Sequence, residues 1–243
     1  MTTIALITGA TRGLGLATSR ALAAHGATVL VGARRLEDGE RVAAELRAAG
    51  HDAHPVELDV DDAASVRTAA HRVECVHGRL DVLVNNAGIL PEAATPAAEV
   101  VDLSLFRRTF DTNLFGAVAV LEAFLPLLRR SDRGRIVNVS STMGSLADQT
   151  DPESPYYAMV VPAYQASKAA LNSVTIALAK QLAGTGLVVT SVCPGFVRTG
   201  LTPVSGDAPL SAEEAARVVV DAALAPAGTP SGRFVGHEGA VAW

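Results

Sequence analysis

Thr8-Gly9-Ala10-Thr11-Arg12-Gly13-Leu14-Gly15 joins a short apolar run, residues 3 to 8, to a helical pattern that continues to His25 and is closed by Gly26. The run before it is β-branched and apolar on both faces, as a buried parallel strand is. Glycines at 9, 13 and 15 permit a sharp turn and let an anion approach the backbone, and the helix N-terminus after them supplies amide donors with partial positive charge. A strand, a glycine-rich turn and a helix in that order form the setting a dinucleotide fingerprint requires. A plain turn would use some of the same glycines, so the remainder of the chain decides between the two.

Beyond Gly26 the chain alternates between strand and helix patterns. A second strand, residues 27 to 32, leads to Ala33-Arg34-Arg35, and a helix spans 37 to 49. A third strand through Val56 ends at Asp59-Val60, and Asp61 or Asp62 caps a helix from 63 to 76. A fourth strand, 80 to 84, runs into Asn85-Asn86-Ala87-Gly88, and one long helix is expected from 102 to 129. Its core spacing is Phe106, Phe110, Leu114, Val118 and Leu121, with Asn113 locally unfavourable inside it. A fifth strand, 135 to 139, delivers Ser140 and Ser141, a helix runs from Tyr164 to about Ala183, and a sixth strand ends at Val192. Ser211-Ala-Glu-Glu214 is a capping box for a last helix to about 225, with a short strand after it at 233 to 235. No linker-like break interrupts the alternation, so the expected fold is α/β, a single doubly wound parallel-sheet domain of Rossmann type over residues 1 to 243.

At the end of the second strand, an NAD-selective site would place a carboxylate on the adenosine ribose. Arginine stands there instead. Arg34 and Arg35, with Arg12 from the first loop, can converge on a 2′-phosphate, which points to NADP(H) rather than NAD.

Tyr164-Gln-Ala-Ser-Lys168 sets a phenol and an ammonium one helical turn apart. An ammonium about 4 Å from the phenol is worth about 4 kcal/mol at an effective dielectric of 20. The pair therefore predicts a Tyr164 pKa lowered toward the range of a general acid.

Composition narrows the partners. With 243 residues and 49% hydrophobic content the chain can bury a large core, and aromatics at 4% do not make a recognition surface. A net charge of −5 with scattered basic residues gives no expectation of nucleic acid. Cys75 and Cys193 are far apart, which suits free thiols and a cytoplasmic location, and no metal-ligand spacing is present. No apolar run is expected to reach the length of a membrane span. His71 and His77 are expected to be solvated.

The Gly-x-x-x-Gly-x-Gly loop, Asn85-Asn86-Ala87-Gly88, Asp111-Thr112-Asn113-Leu114, Gly134-Arg-Ile-Val-Asn-Val-Ser-Ser141, Tyr164-x-x-x-Lys168 and Pro194-Gly195 succeed one another in order. Together they resemble the classical short-chain dehydrogenase/reductase family over essentially the whole chain. The resemblance implies hydride transfer between NADP(H) and a carbonyl or alcohol carbon. It implies that Gly9, Thr11, Arg12, Gly13, Leu14, Gly15, Arg34 and Arg35 hold the diphosphate and adenosine end. Asp59 would accept from the adenine amino group, and Val60 would line the adenine slot. Asn86 and Gly88 would approach the ribose, and Pro194, Gly195, Val197 and Thr199 would contact the nicotinamide side. The implied catalytic set is Asn113, Ser141, Tyr164 and Lys168, with Ser141 preferred over Ser140 by alignment, Lys168 also on the nicotinamide ribose, and Asn113 holding a water.

Ser141 and Tyr164 lie 23 positions apart, farther than is usual in the family. The extra segment, within 142 to 162, resembles the insertion of the carbonyl reductase branch and implies a monomer or homodimer rather than a tetramer. Met143, Tyr156, Tyr157 and Met159 in it could line an apolar substrate pocket, and residues 196 to 210 read as a substrate lid. Two rival expectations are a non-catalytic NADP-binding sensor and an enzyme working mainly as an alcohol dehydrogenase or epimerase.

Overall fold

The computed structural model describes residues 2–94 and 101–243. Strand β1 (Ile4–Ile7) is buried at every position, and so are β2 (Thr28–Ala33), β4 (Val82–Asn85), β5 (Arg135–Val139) and β6 (Val188–Val192). Such strands have no polar face, so they form only where helices cover both sides. With β3 (Ala53–Glu57), β7 (Arg233–Gly236) and β8 (Gly239–Ala240) they make one sheet of order β3-β2-β1-β4-β5-β6-β7-β8, parallel except for the last pair. The order reverses between β1 and β4, where a crevice opens at the carboxyl ends of the strands.

The strand period of two sorts side chains between two cores. Ala5 and Ile7 of β1 join Leu22 of α1 (Gly13–Ala24), Val42 of α2 (Leu36–Ala48) and Val219 of α8 (Ala212–Ala223). Ile4 and Leu6 join Val66 of α3 (Ala63–His77) and Phe124 of α5 (Ala117–Leu128), with Val174 of α7 (Pro162–Gln181) packed alongside. Caps set the helix starts: Asp62, not Asp61, accepts from Ala64 N–H, and Ser211 and Glu214 form the reciprocal capping box.

The expected single helix over 102–129 is broken in register. It consists of α4 (Leu103–Phe110), a π-turn at Asp111–Gly116, and α5. A π-turn inserts a residue into the helical repeat, so spacing counted from Phe106 loses register beyond it, and of the five expected core positions only Leu121 is buried. Phe106, Phe110 and Leu114 are half-buried and Val118 is exposed, while Val120, Leu121, Phe124, Leu127 and Leu128 fill the core. The continuous 26-residue span Leu103–Leu128 is, against expectation, long and apolar enough to cross a membrane by length and composition, although 56% of its most apolar window is packed inside the fold. His77 departs from its expectation too, being half-buried against His54, with burial lowering its pKa.

The segment 142–162, expected to be an insertion, is folded. It holds a 3-10 turn (Thr142–Gly144) and α6 (Leu146–Gln149), and it is tied down by Gln149 Nε2 to Met143 O (2.7 Å) and Ala147 N–H to Trp243 O (3.1 Å). Trp243 stacks on Phe234 at 5.4 Å. Within 196–210, Val197 bridges Leu210 and a 3-10 turn spans Pro203–Asp207.

Candidate active site

Gly9 and Gly13 adopt positive φ (62° and 52°), and a Cβ at Gly15 would collide with the Gly9 carbonyl and Asn86 Nδ2. These are the positions where the turn needs glycine. Helix α1 begins at Gly13 with no side-chain cap, leaving an amide end suited to a diphosphate. The loop is clamped to β4: Thr8 Oγ1 accepts from Asn86 N–H (3.0 Å) and Ala87 N–H (2.9 Å), and Asn86 Nδ2 donates to Thr8 O (2.8 Å) and Gly9 O (3.2 Å). The side-chain donors of Asn86 thus go to the loop backbone. Asn85 bonds Asn138 (2.9 Å) across β4 and β5.

Beside the loop, a cavity of about 520 Å³ is lined by Thr11, Ala33, Arg34, Arg35, Asp38 and Asp59. Its charge differs from the expected cluster of three arginines. Arg12 turns away to donate to Gly200 O (3.0 Å), a carbonyl on the 196–210 segment, and does not line the cavity. Arg35 is ion-paired with Asp38 (2.9 and 3.2 Å), which raises the arginine's pKa. Arg34 is exposed and has no hydrogen bond or ion pair among the described residues, so it is the cation open to a 2′-phosphate. Val60 is buried against Gly116 of the π-turn rather than on the cavity wall.

At the other end, Thr199 lies against Gly13, whose Cβ would sit 3.1 Å from it. Gly195 has φ +78° beside Leu210, and the Pro194 carbonyl bonds His237 Nε2 at 3.0 Å. A Cβ on Gly88 would lie 3.3 Å from Asn113 Oδ1 and 3.6 Å from Lys168 Nζ, so its missing side chain keeps open the space between cofactor loop and ammonium.

Strand β5 and helix α7 bring Ser141, Tyr164 and Lys168 together. Ser141 Oγ accepts from Met143 N–H at 3.2 Å and lies close enough to the Tyr164 phenol to favour its ionised form. Ser140 is 2% exposed with an unpartnered hydroxyl, so of the two adjacent serines only Ser141 faces the phenol. Lys168 Nζ donates to Val139 O (2.8 Å) and lies 5.6 Å from the centroid of the Tyr164 ring.

That placement overturns the expected pKa of Tyr164. The ammonium sits over the ring and is held by a carbonyl, and burial raises the phenol's pKa well above its ordinary value, with Cys193 adding to the rise and Ser141 opposing it. Burial likewise lowers Lys168 to about 8. Tyr164 therefore keeps its proton, the state a general acid needs before transfer.

Asn113 is fully engaged: its Oδ1 accepts from Ile89 N–H (2.8 Å), and its Nδ2 donates to Ile89 O (2.9 Å) and Ser167 Oγ (3.1 Å). These bonds recover the cost of an asparagine inside a helix, in the π-turn. Of the apolar candidates within 142–162, Met143 is buried and Tyr156 is half-buried, whereas Tyr157 and Met159 are exposed. Sequence reasoning missed Thr8, Ser167, Asp38 and Glu92; the only signal for Glu92 is a lone carboxylate in an apolar stretch.

A crevice at the strand reversal, with hydroxyl, phenol and ammonium grouped beside it, is the arrangement of a Rossmann-type dinucleotide site. The short chain dehydrogenase family model matches residues 3–209, and the chain belongs to that family. The short-chain dehydrogenase anuI of Penicillium roqueforti is 39% identical over 227 residues, covering 90% of this chain and 88% of that one. Among solved structures, NADPH-bound carbonyl reductase from chicken fatty liver superposes with a TM-score of 0.83 at 26% identity, covering 99% of this chain and 98% of that one. The 3-ketoacyl-(acyl-carrier-protein) reductase from Brucella melitensis complexed with NADH gives 0.82 at 27%, covering 97% and 96%.

Proposed function

We propose that this oxidoreductase reduces the carbonyl of a ketone, aldehyde or quinone, using NADPH. The observation that carries this reading is the buried Tyr164 grouped with Ser141 and Lys168, its proton retained because burial raises the phenol's pKa. The glycine cradle and the Arg34 cavity fit a phosphorylated dinucleotide: Gly9, Gly13, Gly15 and the start of α1 would hold the diphosphate, Arg34 the 2′-phosphate, and Thr199 and Lys168 the nicotinamide end. When bound, the cofactor supplies the hydride. Negative charge then develops on the substrate oxygen; Ser141 donates a hydrogen bond to it and Tyr164 delivers the proton. Lys168 offers an ammonium near the phenolate left behind, and Asn113 holds the surrounding loop and helix, with water relaying the replacement proton.

The preference for NADPH rests on Arg34 and is tempered by Asp38, whose carboxylate occupies the same cavity. The test is loss of NADPH absorbance with a panel of ketones, aldehydes and quinones, with NADH in parallel. Turnover of at least one carbonyl, faster per unit cofactor with NADPH, is expected. Tight NADPH binding with no turnover in either direction would instead make the protein a sensor.

A further inference from the structure

Helix α7 carries Tyr164 in its first turn, yet that turn has no cap of its own. Its N-cap, Val161, offers no side-chain acceptor, and Pro162 at the first position has no N–H. The first two amides that need partners are therefore those of Ala163 and Tyr164 itself. Both go to one side chain from far along the chain: Glu92 Oε1 accepts from Ala163 N–H at 3.0 Å and Glu92 Oε2 from Tyr164 N–H at 2.9 Å. Glu92 is 6% exposed and sits in a 3-10 turn (Pro91–Ala93) directly beyond the Asn86–Gly88 loop. A carboxylate is costly to bury, and two amide donors at a positive helix end offset that cost.

The segment bearing Glu92 is held at two other points of the site. Asn86 fixes it to the glycine loop, and Asn113 pairs with both the N–H and the carbonyl of Ile89. Nothing in this arrangement puts Glu92 on the phenol oxygen. We propose that Glu92 is a positioning residue: by gripping the Tyr164 backbone it sets the height and rotation of the first turn of α7, and so registers the phenol against Ser141 and the cofactor loop. This rests on the reading of Tyr164 as the proton donor.

The test compares Glu92→Gln, which keeps the volume and one acceptor, with Glu92→Ala, which keeps neither, and with Glu92→Asp. Active sites are counted by NADPH titration, so that misfolded protein drops out of the rate. Glu92→Gln should lower kcat per NADPH site roughly tenfold, with KM and NADPH Kd changed less than about twofold. Glu92→Ala should lower kcat further, and Glu92→Asp should recover part of it. A purely structural carboxylate would lower the melting temperature and the number of sites while leaving kcat per site unchanged, and that result overturns the proposal. Amide hydrogen exchange gives an independent reading. The Ala163 and Tyr164 amides should exchange faster in Glu92→Gln while Leu171, mid-helix, does not. Unchanged exchange at Tyr164 also overturns the proposal. If the wild-type protein reduces no carbonyl, the functional reading fails, and exchange still decides whether Glu92 anchors the helix.

Discussion

Arg35 and Asp38 show how a single unpredicted carboxylate changes the proposed cofactor site. The exposed pair spends one of the two remaining guanidiniums that could face a 2′-phosphate, and it leaves a negative charge in the same cavity. Asp38→Asn frees Arg35 and removes that repulsion, so NADPH should bind roughly two- to fivefold more tightly, with NADH little changed. Arg34→Asp should weaken NADPH far more than NADH; equal losses in a fluorescence titration would remove Arg34 from the cofactor site. Lys168 supplies a pH test. Its pKa falls from 10.5 to about 8 chiefly by burial, so the ligand-free protein binds fewer protons than the unfolded chain between those values. Stability should rise with pH across that window by this group, and the gain should vanish in Lys168→Met. An amine-labelling profile with a midpoint near 10.5 would contradict the assignment. At this scale the sequence was legible for identity and illegible for partners. Ser141 could be separated from Ser140 only through a resemblance, Arg12 gave no sign that it would choose the Gly200 carbonyl, and Glu92 meets partners far along the chain at Ala163 and Tyr164.

At the scale of elements, legibility tracked burial. The parallel strands announce themselves because a strand covered on both faces is apolar at every position, as Ile4–Ile7 and Val188–Val192 nearly are. The π-turn at Asp111–Gly116 was hidden, since it depends on Asn113 finding Ile89 and Ser167, neither of them near in sequence. Its effect is to rotate α5 so that Phe124, fully buried, faces α3 and the sheet. Phe124→Ala should cost about 3–5 kcal/mol in urea unfolding, whereas Val118→Ala, at an exposed position that simple helical spacing places in the core, should cost well under about 1 kcal/mol. Equal costs would mean the register is unbroken.

Across the whole molecule, the sheet reversal between β1 and β4 collects parts that are distant in sequence: the glycine loop after β1, the Asn86–Gly88 loop after β4, Ser141 after β5 and Thr199 after β6. Helix α7 adds Tyr164 and Lys168 to that edge, and residues 142–162 are tied to the end of the chain by the Ala147 N–H bond to Trp243 O. The fold, and the grouping of Ser141, Tyr164 and Lys168 at one edge of the sheet, were readable because open α/β sheets gather ligands at strand ends whatever the loops contain. Substrate was not, because Tyr156, Met143 and the 196–210 segment take their positions from tertiary contacts. The most direct measurement is NADPH oxidation by Tyr164→Phe, with its NADPH affinity measured on the same preparation. The substitution removes one oxygen, and with it the proton that Tyr164 is positioned to give. NADPH binding should be retained and turnover of the best carbonyl should fall about a hundredfold or more; turnover within a few-fold of wild type would contradict the account.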